Sequence, residues 1–498
     1  MTRSLWFVSD IAIIYLSFWG AAYLLNIPIT QVPEGLTGIE AGLATGVFGC
    51  VLLSIGAYRH AVRTIHLRRF FQIGVGVLGA ALGATALTYF WDPSRMFPRN
   101  IVAVHTLLVL VGILGSRALV RLVMEIWHHP EPSSVPPEPI SLYDVVHRSP
   151  PTIDTQGLRD ELADRTVLVT GAGGSIGREL TLQLARMHPF RLVGVDMSEY
   201  NLYRLQHTLH DDADERAGSR VDLHLADVRD TQTMSRIFQR TTPDVVIHTA
   251  AYKHVPLMER HPAEAFRNNT RATMQLLHLC EEHGTEQFLF VSTDKAVQPT
   301  SVLGATKRMA EWYVRAATSP VTRKIVRFGN VFGSRGSVVP RFERRLKAGR
   351  PIPVTHPDME RYFMSAEEAC SLIMHTLLLN SHPVYLFRMG EPVRILDLAK
   401  QLVQRWYPNC VPESMIEHVG RRPGEKLSET LAMPGEQAED TAHPSIIGVQ
   451  GAMPYSRAEL DLHIQHLKQQ CRQTDISPAQ MRRLIVGTPS TTSTHTTS

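Results

Sequence analysis

Cysteine is scarce and unpatterned in this chain. The 498 residues hold five, none spaced as CxxC. That excludes a zinc ribbon and a disulfide framework as organising devices and fits a reduced, cytosol-facing catalytic part. An excess of one charge is missing as well. Lys and Arg number 51 against 47 Asp and Glu, a net charge of +4, too little to imply nucleic acid as a partner by itself. No internal repeat is found, and no metal site is expected. The length allows two or three units. A mean hydropathy near zero averages a very apolar N-terminal quarter with an ordinary soluble remainder.

Four apolar runs precede residue 125: 5–27, 39–57, 71–91 and 97–114, the last extending toward Leu119. Each approaches the ~20 residues a helix needs to span a bilayer. The first is too long and too aromatic for a cleaved signal peptide, and more spans follow it. Arg59, Arg63, Arg68 and Arg69 crowd the second connection, and Arg117 and Arg121 follow the fourth run. The first connection has no Lys or Arg, and the third has Arg95 and Arg99. The positive-inside rule then puts the N-terminus and the large C-terminal part in the cytoplasm. Trp6, Trp19 and Trp91 suit interface anchoring. Asp10 and His105 are polar residues in or near spans, and Asp10 is expected at the interface. The expected organisation is four transmembrane helices in 1–127, in contact with lipid, then a Pro-rich linker in 128–150. The Thr/Ser-rich tail 488–498 is expected to be disordered.

From residue 166 strand-like runs alternate with helical patterns. The strand 166–170 enters Gly171-Ala-Gly-Gly-Ser-Ile-Gly177, an amphipathic helix follows over 178–187, and a second strand, 191–195, ends in Asp196. Glycines there permit a tight turn and close approach of backbone to a pyrophosphate, whose charge sits on the helix N-terminus. Gly171, Gly174, Ser175, Ile176 and Gly177 are therefore candidate cofactor contacts. Asp196, about 20 residues past the loop, suits the ribose 2′-OH and repels a 2′-phosphate, so NAD is favoured over NADP. A third strand ends at Asp227-Val228, suited to adenine. The fourth, 245–248, leads into Thr249-Ala250-Ala251, small residues that make room for a cofactor, with Lys253 beyond. The fifth, 287–291, delivers Ser292-Thr293-Asp294-Lys295, and the sixth, 324–328, delivers Gly329-Asn330. Ligands of open α/β sheets bind at such strand ends. The fold class expected is α/β, a Rossmann dinucleotide-binding domain in 151–330. A smaller substrate-binding lobe with C-terminal helices is expected in 331–487. Arg361 and Arg422 are guanidinium groups suited to a diphosphate.

Taken in order, TGAGGSIG, AAYKHVPLME, Asn268-Asn269, VSTDKAVQPTSVLGATKR, VRFGNVFGSRGSVVPRF, THPDMERYFM, MGEPVRILDLA, RRPGEKLSE and Thr441-Ala-His-Pro444 span about residues 141–445. Together they resemble the membrane-bound polysaccharide-biosynthesis (CapD-like) nucleotide-sugar 4,6-dehydratases, which are extended short-chain dehydrogenases. The resemblance implies a UDP-N-acetylhexosamine substrate, most often UDP-N-acetylglucosamine, and a UDP-4-keto-6-deoxy-sugar product for surface glycans. It also implies a bacterial inner-membrane enzyme and a homo-oligomer. In such enzymes oxidation at C4 makes the C5 proton acidic, water leaves across C5–C6, and the hydride returns to C6.

Carried over residue by residue, Lys295 is the base at C5 and Asp294 the acid at the departing C6 oxygen. Thr293 hydrogen-bonds the sugar near C4, and Lys307 holds the nicotinamide ribose. Asn269 and Ser292 join the cofactor contacts; Lys295, Asn330, Arg361, Arg422 and Glu425 join the substrate contacts. Two departures stand out. The extra Rossmann-like domain that full-length membrane members carry after their helices is missing. Leu303 occupies the position four residues before Lys307 where soluble relatives place a catalytic Tyr, so the acceptor of the 4-OH proton is open among Lys307, Lys295 and Thr293 with water. The competing readings are a C4 or C5 epimerase or 4-keto reductase, and an inactive nucleotide-sugar-binding membrane scaffold.

Overall fold

The computed structural model describes residues 3–25, 36–54, 67–91, 99–127, 138, 140–146, 154–211, 220–473 and 476–486. They fall into two compact units, Met1–Glu131 and Pro132–Ser498. Most of the linker 128–150 and all of the tail 488–498 lie outside the described residues. So do Arg59, Arg63 and Arg95, which helped set the expected orientation.

The first unit has helices α1 (Arg3–Leu24), α2 (Leu36–Ser54), α3 (Leu67–Trp91) and α4 (Arg99–Trp127). Among the described residues two stretches are long and apolar enough to cross a membrane, Phe7–Leu24 in α1 and Asn100–Val120 in α4. Those of α2 and α3, Thr45–Ser54 and Phe71–Ala86, are shorter. The expectation of four spans is thereby corrected to two helices of sufficient apolar length. Ile14, Phe48, Val77 and Val109 pack inward, while Val8, Leu16, Leu82 and Leu107 face outward. Asp10 is buried, and Arg117 Nη1 and Nη2 donate to its two carboxylate oxygens at 3.0 and 2.6 Å. An ion pair this dry costs desolvation and is tolerated because both charges are matched.

The second unit opens with α5 (Thr155–Leu162), then β1 (Thr166–Thr170), α6 (Ser175–Ala185), β2 (Arg191–Asp196), α7 (Glu199–Asp211), β3 (Arg220–Leu225), α8 (Thr231–Thr241), β4 (Val245–His248), β5 (Gln287–Val291) and β6 (Thr322–Arg327). β1, β4 and β5 are buried at every position, as parallel strands covered on both faces must be. The strand order is β3-β2-β1-β4-β5-β6, all parallel, and the chain reverses direction across the sheet between β1 and β4. That reversal opens a crevice at the carboxyl ends of β1 and β4.

Helix α6 begins at Ser175, three residues before the expected start, because the extended Gly174 already serves as its N-cap. The sheet also continues past residue 330. Val384–Phe387 adds parallel to β6; Ile446–Gln450 and then Gln437–Asp440 add antiparallel. The apolar run Val384–Phe387 is fully buried, and β6 offers it a ready edge. Part of 331–487 forms a smaller core around Phe342, Leu346, Ile352, Leu398 and Tyr407, whereas Leu372 and Ile373 of the helix Ala366–Thr376 and Leu460, Leu467 and Met481 of the C-terminal helices, expected in that lobe, pack into the cores of the large sheet.

Candidate active site

One cavity of about 600 Å³ occupies the crevice. Gly171, Gly174, Ser175, Ile176, Gly177, Asp196, Val228, Thr249, Ala250, Ala251, Lys253, Ser292, Thr293, Lys295, Lys307 and Asn330 line it, all of them sequence-predicted. The glycine loop is packed as closely as a dinucleotide requires. A Cβ on Gly177 would lie 2.0 Å from the Gly171 carbonyl oxygen, and one on Gly171, whose φ is +69°, would lie 2.8 Å from the Ala250 backbone. Gly174 caps α6 without a side-chain hydrogen bond, so the helix N-terminus faces the cavity undecorated, a setting for a diphosphate. Asp196 sits beside it: its Oδ2 accepts from Gly173 N at 2.9 Å and its Oδ1 from Ser198 N at 2.8 Å. These residues fit a dinucleotide.

At the other end β5 delivers the polar cluster. Lys295 Nζ donates to Asp294 Oδ1 at 2.9 Å and to Asn330 Oδ1 at 3.0 Å. Thr293 Oγ1 donates to Asp294 Oδ1 at 2.8 Å. Asp294 itself is fully buried and does not line the cavity; it lies behind Thr293 and Lys295, and its Oδ2 has no hydrogen-bond partner. Lys307 comes from the helix Val302–Ala316, started by Ser301 Oγ accepting from Gly304 N. Its Nζ donates to the Val291 carbonyl at 2.8 Å and stands 4.3 Å from the Phe290 ring centroid. Burial pulls the ammonium down to about 7, against the opposing charge of Glu311. Leu303, one turn earlier, is buried and lines the cavity. His248 is the buried last residue of β4, where burial and then the charge of Lys307 hold its ring well below the ordinary value.

Several expected contacts lie elsewhere. Asp227 does not line the cavity; Arg229 holds its carboxylate at 2.6 Å. Asn269 is buried and braces Tyr252, accepting from its N–H at 2.9 Å and donating to its carbonyl at 3.1 Å, while Asn268 reaches the cavity. A π-helical turn at Phe266–Arg271 sets these two side chains. Arg361 is not free for a diphosphate: its guanidinium donates to the carbonyls of Glu360, Lys426 and Leu427. Arg422 and Glu425 face each other at 4.0 Å, away from the cavity wall.

Sequence reasoning missed a buried ionic network behind the cluster. Ser292 Oγ donates to Glu311 Oε1 at 2.6 Å, and Arg327 donates to both Glu311 oxygens at 2.9 and 2.8 Å. Glu436 accepts from the other face of Arg327 at 2.7 and 3.0 Å. The available signal was two charges inside runs otherwise fit for a core, Glu311 in its helix and Arg327 at the end of β6. Asn201, His254 and Arg335 also line the cavity and were not singled out as ligand contacts.

Comparison with known proteins agrees with this architecture. The chain is 40% identical over 310 residues to the probable polysaccharide biosynthesis protein EpsC of Bacillus subtilis, a match covering 61% of this chain and 51% of EpsC. It thus spans about half the length of the curated relatives it matches first. It is 28% identical over 275 residues to a UDP-N-acetylglucosamine 4,6-dehydratase (inverting) of Campylobacter jejuni, covering 54% of this chain and 77% of that one. The X-ray structure of Pen from Bacillus thuringiensis superposes with a TM-score of 0.53 at 28% identity, over 59% of this chain and 92% of that one. The fold is thus the Rossmann-like α/β fold of extended short-chain dehydrogenases. Residues 167–451, more than half of the chain, match the family described as polysaccharide biosynthesis protein, and the chain belongs to that family.

Proposed function

We propose that the cavity holds NAD and a UDP-N-acetylhexosamine, UDP-N-acetylglucosamine first among them. The chain would remove water across C5–C6 to give a UDP-4-keto-6-deoxy sugar for surface-polysaccharide synthesis. The observation that carries this reading is the wall formed by Thr293, Lys295 and Lys307, with Asp294 directly behind it and the non-titrating Leu303 beside it. The name of the Campylobacter relative supports the substrate and the reaction.

When bound, the nicotinamide would accept a hydride from C4 and return it at C6, so no external reductant is needed. The N-terminus of α6 takes the diphosphate and Asp196 the adenosine ribose, its charge disfavouring NADP. Lys307, held near 7 by burial, is the group we assign to the 4-OH proton, since Leu303 cannot titrate. Lys295 takes the C5 proton once the C4 ketone has made it acidic. The C6 oxygen leaves as water with a proton that originates on Asp294. The step starts with the proton of the Asp294–Lys295 pair on Asp294 and Lys295 neutral; because Asp294 lies behind the wall, the Thr293 bond reverses, Thr293 Oγ1 accepting from Asp294 and giving its own hydrogen to the leaving oxygen. Lys295 then returns its proton to C5. Over a turnover the proton gained at Lys307 balances the one lost at Asp294.

α1 and α4 would hold the enzyme at the cytoplasmic face of the inner membrane, with 1–127 spanning it and 128–150 as tether. Assembly as a homo-oligomer is part of the same reading. The test is incubation of the purified protein with UDP-N-acetylglucosamine in deuterated water, read by mass and NMR. Loss of one water with deuterium at C5 and no net NADH supports the dehydratase. Inversion at C4 with the C6 hydroxyl retained means an epimerase, and an unchanged sugar with NAD bound means a scaffold.

A further inference from the structure

Loop 333–337 follows the short ladder at Asn330–Val331 and reaches the dinucleotide end of the cavity. Its backbone is set there: Arg335 N donates to Ser175 Oγ at 3.3 Å, at the first turn of α6. The Arg335 guanidinium reaches Asn201 Oδ1, across the loop from Asp196. Gly336 has φ +73°, and a Cβ on it would lie 2.7 Å from the His254 ring, so the loop is pressed against the fourth strand's exit. Arg335 is exposed, and among the described residues no carboxylate lies within ion-pair distance of it. Among the described residues Asp196 is the sole acid on the cavity wall, against Lys253, Lys295, Lys307 and Arg335. Arg335 and Lys253 repel each other: loss of solvent and then the Arg335 charge lower the Lys253 ammonium, although Lys253 stays exposed. Two cations that face one cavity, neither of them held in an ion pair among the described residues, call for an anionic ligand between them.

We propose that loop 333–337 is a clamp over the cofactor and that Arg335 carries its guanidinium from Asn201 onto the diphosphate of the bound dinucleotide. The inference rests on the reading of the cavity as a dinucleotide site. A guanidinium matches two phosphate oxygens at once, which Lys does not. The nucleotide sugar also bears a diphosphate, but the Ser175 contact places Arg335 at the cofactor's end.

The test is equilibrium binding of labelled NAD, and separately of UDP, to the full-length chain in detergent. Wild type, Arg335→Gln and Arg335→Lys are compared at two salt concentrations. Arg335→Gln is expected to weaken NAD about 10- to 100-fold, to flatten its salt dependence, and to leave UDP within twofold. Arg335→Lys should recover part of the loss. NAD affinity within twofold of wild type in Arg335→Gln overturns the clamp while the cofactor reading stands. A loss confined to UDP assigns the guanidinium to the nucleotide sugar and also overturns it. Wild type that binds no NAD overturns the cofactor reading itself, and the clamp with it.

Discussion

Replacing Lys307 by Met should stabilise the protein at low pH and abolish its chemistry. The side chain is 4% exposed, and burial pulls its folded-state value from 10.5 to about 7. That value lies below the unfolded one, so between about pH 7 and 10.5 the unfolded chain binds more protons and stability rises with pH through that window. Below it both states are protonated, and the fold carries the whole cost of a buried ammonium, about 5 kcal/mol at 1.36 kcal/mol per pH unit. Met fills nearly the same volume without the charge. It forgoes the bond to the Val291 carbonyl, about 1 kcal/mol, and the contact with the Phe290 ring, up to about 2 kcal/mol. The net gain at pH 6 is thus about 2 kcal/mol, shrinking as pH rises and reversing at about pH 8, where the remaining cost of the ammonium falls below the about 3 kcal/mol forgone. The assay is the unfolding midpoint of both proteins in detergent at pH 6, 7.5 and 9, beside C5 deuterium exchange with the nucleotide sugar. A variant less stable than wild type at pH 6, a gap that does not narrow with pH, or exchange that survives would refute the reasoning.

Three further outcomes are expected. Asp196→Asn should weaken NAD about tenfold while improving NADP relative to it, since the repulsion of a 2′-phosphate disappears; parallel titrations of the two cofactors check this. Glu311→Gln leaves Arg327 and Arg308 short of a counter-charge in a site that water does not reach. It should cost about 3–5 kcal/mol in chemical denaturation, the range for breaking a buried ion pair. Asp10→Asn should lower the thermal stability of the helical unit by removing the carboxylate that faces Arg117. The double variant Asp10→Leu with Arg117→Leu should recover part of that loss, and the non-additivity reads out the pair.

What could be read in advance were features whose cause is local. The glycine loop, the strand ends and the 293–295 cluster each depend on a few neighbouring residues, and β1, β2, β4 and β5 fall on the expected positions. The departures share a different physics: the partner is remote. Asp10 finds Arg117 across 107 residues, and Arg327 finds Glu436 across 109. No periodicity encodes either pairing. Arg361 looked like a phosphate ligand because a lone guanidinium is chemically apt for one; only tertiary register shows that its two terminal nitrogens are already engaged by the carbonyls of 360, 426 and 427. Asp294 shows the same limit at closer range. Its place in the motif put it in the site, but burial put it behind the wall, where its two neighbours must speak for it. A motif names which residues share a site. Whether a side chain touches the substrate or acts through another is decided by packing, and here packing sorts Asp294 from Lys295 although they are adjacent in the chain.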